Sequence, residues 1–326
     1  MKIVVTIPAR IHLTLVELGQ RGYRRNGGIG FALNTPSRYL EFEPAPECDV
    51  AALSNLGFTA NETDAIRAIL DSIRKDKSFR HSIRILVAGG SGRHIGTGSG
   101  TGVTLACIEG LLQVNDARTD SEELIRLSGR GGTSGIGIHT YFAGGFVLDV
   151  GRKYDANPIE SSDDVSAPTS VPKLLARATM PDWPMGILTP ACQPLAIEQE
   201  RAVFASLETQ PLENSAVHEV AYHSVFGIAA AVSDADYESF CDAVNAIQKT
   251  AWKQREIQAY GQVVARTISR MRVLGCDCVA LSSMGPTLFF LSAEIEDVLP
   301  VLRTEFPDAR IERTMANNVG REIRRA

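Results

Sequence analysis

Two glycine-rich stretches carry most of the chemistry that this sequence offers. The first is Gly96-Thr97-Gly98-Ser99-Gly100-Thr101-Gly102, which runs straight into an apolar segment of helical spacing. Glycine lets successive N–H groups turn into one concavity, and the start of a helix adds a field that favours anions. Ser99 and Thr101 bring hydroxyl donors. No Gly-Lys-Ser/Thr ends the loop, so it is not a Walker A motif. Its strictly alternating glycines do not fit the G-x-G-x-x-G spacing of a dinucleotide fingerprint either. The pattern predicts a phosphate-binding loop; the bland alternative is a tight strand-to-helix turn. The second stretch is Gly129–Gly137, GRGGTSGIG. Here Gly132, Thr133 and Ser134 repeat the donor chemistry and Arg130 adds a cation. The planar guanidinium fork suits phosphate or carboxylate. Arg10 and His12, two residues apart on a predicted strand, share a face, and Arg24 and Arg25 sit in a third glycine-containing loop. Together these basic groups predict a diphosphate site. His12 is a candidate substrate contact, or else a satisfied strand histidine. Asp149 is a candidate metal ligand, or else serves structure. His139 reads as structural, and Glu198 and Glu200 as a solvated helix start.

These residues need elements to position them. Residues 2–18 read as a strand, a turn at Pro8 and a second strand over Ile11–Leu18. A turn-rich stretch, LGQRGYRRNGGIGFAL, precedes a strand at Arg38–Glu43. A helix runs from about Asn61 to Lys75, with Ile66, Ile69, Leu70 and Ile73 on one side. Ser82–Val87 reads as a strand. A helix follows the first glycine stretch, and another runs from Asp120 or Ser121 to Ser128. His139–Val150 reads as two strands around Gly144-Gly145. The polar, Pro/Ser-rich segment 155–175 predicts a linker, dividing the chain into domains 1–175 and 176–326. Beyond it come a strand at Met185–Thr189, a helix at Ile197–Leu207 and one or two helices over Asp234–Arg272. Two strands then flank Met284-Gly285-Pro286, followed by a helix over Ala293–Thr304 and a last strand at Ala309–Arg313. That order predicts an antiparallel α+β second half.

Composition sets the outer bounds. At 326 residues the chain is long enough for two domains. It has 44% hydrophobic and 22% charged residues, as soluble globular proteins do. A net charge of −5 argues against a broad nucleic-acid surface. No apolar run reaches the ~20 residues of a membrane span, and the N-terminal segment lacks the features of a signal peptide. A cytoplasmic protein is expected. The six cysteines form no C-x-x-C pair and read as reduced core thiols, with Cys276 and Cys278 sharing a strand face. Glycine, at 28 residues, is near its usual share, but more than half of it falls between Gly89 and Gly151.

Pro8-Ala9-Arg10-Ile11, the Gly-x-Gly-Ser loop entering a helix and Ser283-Met284-Gly285-Pro286 resemble the three motif regions of the GHMP kinase superfamily. That resemblance implies an α+β, GHMP-kinase-like two-domain fold. Its N-terminal α/β domain would have a left-handed crossover and its C-terminal domain would be ferredoxin-like. PARIHLTLVELG, NGGIGFAL, GTGSGT and above all GRGGTSGIGIHTYFAGGFVLD are similar to the beta-ribofuranosylaminobenzene 5'-phosphate synthase family. The likeness spans most of the chain, with VPKLLARATMPDWPMGIL and SSMGPTLFFLS adding to it. It implies condensation of phosphoribosyl diphosphate with 4-aminobenzoate or a 4-hydroxybenzoate-type acid. Carbon dioxide and diphosphate would be released, with Mg²⁺ as cofactor, in tetrahydromethanopterin biosynthesis. A homodimer is also implied. The chain departs from the family's pattern at Gly102, where the loop carries glutamine, and at Asn26, where an acidic residue is usual.

One position separates synthase from kinase. Superfamily kinases with a catalytic aspartate carry it in a pattern like S-G-I-D, whereas this chain has Ser134-Gly135-Ile136-Gly137. Glycine takes no proton from an alcohol, and a general base supplies ~10²–10⁴ in rate. A glycine also leaves room for a flat ring to approach the anomeric carbon. In the synthase, Arg10, His12 and Arg130 would be the catalytic groups and residues 96–102 with 132–134 the phosphate cradle. The alternatives are an ATP-using small-molecule kinase of the homoserine or sugar type, and a ligand-binding paralogue without catalysis.

Overall fold

The computed structural model describes residues 2–19, 23–92, 95–154 and 170–325. The expected linker lies mostly in 155–169, outside the described residues. The chain opens on two long antiparallel strands, β1 (Ile3–Glu17) and β2 (Arg24–Ala45). The turn expected at Pro8 is absent. The register shifts between Ile7 and Ala9, so β1 takes up Pro8, which has no N–H to pair, in a bulge and continues. NGGIGFAL is also strand rather than turn. Its glycines answer crowding: a Cβ on Gly30 would fall 2.1 Å from the Ile11 carbonyl oxygen.

A 3-10 turn (Ala51–Leu56) leads to α1 (Ala60–Asp76). Thr59 caps α1, accepting from the Glu62 N–H while the Glu62 carboxylate accepts from the Thr59 N–H. The helix buries Ile66, Leu70 and Ile73. After β3 (Ser82–Gly90) come α2 (Ser99–Val114), α3 (Ser121–Ser128), α4 (Ile136–Ala143), β4 (Phe146–Asp149) and the short β5 (Arg152–Lys153). The strand pair expected over His139–Val150 is therefore a helix and a strand. Ile136, Ile138 and Tyr141 of α4 are buried, and their packing overrides the strand preference of a β-branched and aromatic run.

The chain continues through β6 (Leu174–Ala178), β7 (Met185–Thr189), α5 (Ile197–Thr209) and α6 (Asn214–Tyr222). A π-helical stretch (His223–Ala229) leads to α7 (Ala230–Asp234). Where one or two helices were expected, α8 (Tyr237–Ile247), α9 (Ala251–Gln258) and α10 (Gln262–Val273) follow. The remaining elements are β8 (Cys278–Leu281), β9 (Leu288–Leu291), α11 (Ile295–Glu305), β10 (Arg310–Thr314) and β11 (Glu322–Arg325).

Two sheets organise these elements. The first runs β11-β1-β2-β4-β6, with β3 and β5 also paired to β2. The second runs β10-β7-β9-β8 and is antiparallel throughout. Counted along this half, its strand order is 4-1-3-2 with helices in the first and third connections, which is the expected ferredoxin-like arrangement. The last strand, β11, crosses back to pair with β1. One core packs α1 to α4 on the first sheet. A second joins the sheets, with Phe31 edge-on to Phe289 at 5.0 Å. A third lies between the second sheet and α9, α10 and α11. Cys278 belongs to the second core and Cys276 to the third, so the face they were expected to share does not exist. Cys276 lies before the strand begins and does not follow its alternation. The six thiols are free.

Candidate active site

The fold brings the two glycine stretches together. The Arg130 Nε donates to the Thr101 hydroxyl at 3.3 Å, and a Cβ on Gly137 would lie 3.5 Å from the Thr101 side chain. The loop before α2 is held from behind. The Arg10 Nη1 donates to the Gly96 carbonyl (3.0 Å), the Ser282 hydroxyl donates to the same oxygen (2.7 Å), and the Arg10 N–H donates to the Thr97 carbonyl (3.2 Å). Gly96 and Gly98 have φ of +83° and +75°, the left-handed region that favours glycine. Space demands glycine there too: a Cβ on Gly96 would meet the Ser282 carbonyl oxygen at 2.4 Å, and one on Gly98 the Arg10 Cγ at 2.7 Å.

With those carbonyls engaged, the N–H groups of Ser99, Gly100 and Thr101 are the donors that a helix start leaves without intrahelical partners. The first turn of α2 holds no acidic residue. Three such donors on one helix end can receive an anion. Thr97 belongs to the loop's foundation instead, because its buried hydroxyl accepts from the Arg38 Nη2 at 2.8 Å. Gly102 serves packing, since a Cβ there would press on Ile7 Cγ2 at 2.7 Å. The chain's departure from its resembled family at that residue thus lets α2 lie close on β1. Beside Gly100 opens a cavity of about 530 Å³, with Ile66, Ile69 and Thr104 on its wall and Arg130 and Arg201 at its polar side.

The second stretch uses its donors internally. The Gly135 N–H donates to the Asp149 Oδ2 (3.0 Å) and the Gly151 N–H to the Asp149 Oδ1 (2.8 Å). The Ser134 hydroxyl accepts from the Ile136 N–H at 3.2 Å. The Gly132 carbonyl accepts from the Asn26 Nδ2 (3.0 Å) and the Arg152 Nε (2.9 Å). Thr133 is buried in the same turn. Asp149 is therefore the brace of this loop. Burial pushes its carboxyl up to about 7, against the pull of the Gly151 and Gly135 N–H groups, the Ser134 hydroxyl and Arg24. Asn26 takes φ +63°, a conformation asparagine tolerates better than most residues. The Arg24 guanidinium donates to the Val150 and Gly151 carbonyls, which makes it a staple of β2. His139 lies on α4 with its Nε2 at 3.2 Å from the Pro172 carbonyl, and serves structure as expected.

His12 stands between the two stretches. Its Nε2 and the Ser134 hydroxyl lie 2.7 and 2.8 Å from the point a Gly28 Cβ would occupy, so Gly28 clears the space they face. The ring is 4% exposed, and neither nitrogen has a hydrogen-bond partner. The Arg10 Nε is likewise buried and unpartnered. Buried polar groups are rarely left so. Burial, then the charges of Arg10 and Lys253, hold the His12 imidazole well below its ordinary pKa, so it is neutral at physiological pH. Burial also lowers Arg10 to about 10, which leaves it a cation.

Lys253, Arg38 and Ser282 were missed in the sequence. Lys253 and Glu256 lie one helical turn apart next to Trp252 and Ile257, all four of them buried. That charged pair on an apolar face was the available signal. Arg38 and Ser282 left none. Among the described residues, no three His, Cys, Asp or Glu side chains gather as a metal site. No described helix is long and apolar enough to cross a membrane.

No family model matches the chain. It is 29% identical over 306 residues to the beta-ribofuranosylphenol 5'-phosphate synthase of Methanothermobacter thermautotrophicus, spanning 90% of each chain. To the protein of the same name from Archaeoglobus fulgidus it is 28% identical over 289 residues, 87% of this chain and 86% of that one. The structure is similar to a homoserine kinase from Cytophaga hutchinsonii, with a TM-score of 0.70 at 13% identity over 99% of this chain and 97% of that one. This likeness concerns the fold, which is the GHMP-kinase type.

Proposed function

We propose that this chain, similar along nine-tenths of its length to beta-ribofuranosylphenol 5'-phosphate synthases and built on the GHMP-kinase fold, is a decarboxylating phosphoribosyltransferase. It joins phosphoribosyl diphosphate to a 4-hydroxybenzoate- or 4-aminobenzoate-type acid. The relatives' name places a phenol in their product. Carried to this chain, it favours the hydroxy acid. The reaction would stand in tetrahydromethanopterin biosynthesis, in a cytoplasmic homodimer.

The observation that carries the choice of reaction is Gly137. A Cβ there would make ordinary contact with Thr101, so space does not compel the glycine, yet no carboxylate stands where a kinase would hold its base. A base is not needed to attack the donor in the proposed reaction. The ring carbon bearing the carboxylate forms a bond to the anomeric carbon, and diphosphate leaves with the electron pair of the broken C–O bond. The C–carboxylate bond then breaks, and its electrons restore the aromatic ring as carbon dioxide departs. The N–H groups of Ser99, Gly100 and Thr101, with Arg130, receive the developing diphosphate charge. Arg10 supports the cradle through Gly96 and adds its charge. A neutral His12 accepts a hydrogen bond from the para hydroxyl, which keeps its proton while the ring carries the positive charge until carbon dioxide departs.

Among the described residues no carboxylate cage gathers for magnesium, and both Asp149 oxygens are engaged by backbone N–H groups. Mg²⁺ would come with the donor and offset the charge of its diphosphate.

The test supplies phosphoribosyl diphosphate, Mg²⁺ and carboxyl-labelled 4-hydroxybenzoate or 4-aminobenzoate. Labelled carbon dioxide and diphosphate are expected in equal amounts. Consumption of ATP with a small alcohol, and no label released, would replace this reading with a kinase. Saturable binding of the donor without turnover would leave a ligand-binding protein.

A further inference from the structure

A buried ion pair lies outside the cradle and is tied to it. Lys253 is fully buried, Glu256 is 2% exposed, and their side chains pair directly on α9. A pair so placed is a poor way to stabilise a fold, since apolar groups of similar volume often do as well or better. Its connections point elsewhere. The Lys253 ammonium donates to the Leu281 carbonyl at 3.2 Å. The next residue, Ser282, accepts from the His12 N–H (3.2 Å) and donates to the Gly96 carbonyl (2.7 Å). The Ser283 N–H donates to the His12 carbonyl at 2.8 Å. Tyr260 holds the same turn through the Met284 carbonyl at 2.6 Å. The turn over residues 282–285 is thus anchored to helical elements on one side and seats both His12 and the anion loop on the other.

We propose that Lys253, held by Glu256, is a positioning residue of the active site. It fixes the turn that seats His12 and Gly96 through the Leu281 carbonyl, and its charge bears on the His12 ring. The charged groups bearing on His12 are Arg10, from its own strand, and Lys253 with its partner Glu256, from α9. The second glycine stretch presents the uncharged Ser134, with Asp149 bracing it from behind. Both cations oppose formation of imidazolium, so the ring meets the substrate as an acceptor. The effect on catalysis rests on the proposed reaction; the effect on His12 itself does not.

The experiment follows the His12 ring by NMR in histidine-labelled protein, with His12→Gln used for assignment, and measures kcat/KM against pH in parallel. The variants are Lys253→Met combined with Glu256→Gln, which removes both charges, and Tyr260→Phe, which loosens the turn but keeps the charge. In the wild type, His12 is expected to stay neutral well below its ordinary value near 6.5. The double variant should raise its titration, and the acid limb of kcat/KM, by about half a pH unit or more. Lys253→Arg, which keeps the cation, should restore both. Tyr260→Phe should raise KM for the donor and leave the acid limb in place. A folded double variant with an unmoved His12 titration would overturn the proposal. If that variant does not fold, an ordinary His12 titration in the wild type overturns it alone. Absence of carbon dioxide release with every acid would sink the reaction instead, and the NMR result would still decide the role of Lys253.

Discussion

Around Gly96–Gly102, Arg10 and Ser282 take up the carbonyls of Gly96 and Thr97, and the first N–H groups of α2 keep no intrahelical partner. Within Arg130–Gly137 an internal carboxylate, Asp149, takes up the Gly135 N–H and the Ser134 hydroxyl takes up that of Ile136. Similar glycine-rich sequences thus differ in what they leave open: the first keeps the donors of a helix start, and the second uses those of Gly135 and Ile136 internally. The difference lies in what stands behind each backbone. Arg10 and Ser282 reach the first from distant parts of the chain, whereas Asp149 braces the second from the next strand. Arg130 belongs to the second stretch by sequence and to the first by contact.

The largest effect should come from breaking the first loop. Gly96→Val forces a side chain into a left-handed backbone and onto the Ser282 carbonyl. A loss in kcat/KM on the order of 100-fold or more is expected, as for misplaced reacting groups. Near-wild-type turnover would show that the loop's shape is not used.

Next in size is Gly137→Asp, which places the carboxylate of a kinase beside Thr101. Space allows it, so the variant should fold. Its charge would repel the diphosphate, with an expected loss of carbon dioxide release of roughly tenfold or more. No phosphorylation of small alcohols should appear. Its appearance would make the two readings one residue apart.

The smallest effect expected is for Arg130→Ala. Removing one charge-assisted contact should weaken donor binding by about 1–2 kcal/mol, roughly 5–30-fold, measured by calorimetry. Unchanged affinity would return Arg130 to its own loop as a structural residue.

Much of this was legible in the sequence because it depended on local pattern. The helix ending near Lys75, the helix after the first glycine stretch and the strands around Met284-Gly285-Pro286 follow from periodicity and turn residues, although the cap expected within Asn61–Asp64 is Thr59. Pro8 and the glycines of NGGIGFAL misled because their reasons are tertiary: a bulge in a paired strand, and the close approach of His12 and Ile11. His139 was placed on a strand by the branched and aromatic residues near it, yet two-sided burial makes that run a helix. Arg10, His12, Arg130 and the loop glycines were picked out by residue type and spacing, and the fold places Arg10 and Arg130 on the first glycine stretch. Whether Thr97 or Gly102 faced a ligand could not, because Arg38 and Ile7, which decide it, lie far along the chain. Lys253 was hidden for the same reason. Nothing near it in sequence says that its ammonium holds the Leu281 carbonyl, just before the turn that seats His12.

The most direct test of the account is a crystal structure with phosphoribosyl diphosphate bound. The diphosphate should lie against the N–H groups of Ser99, Gly100 and Thr101 and touch Arg130, with the anomeric carbon toward His12. Diphosphate held instead by the Thr133–Gly135 backbone, with the loop before α2 empty, would contradict it.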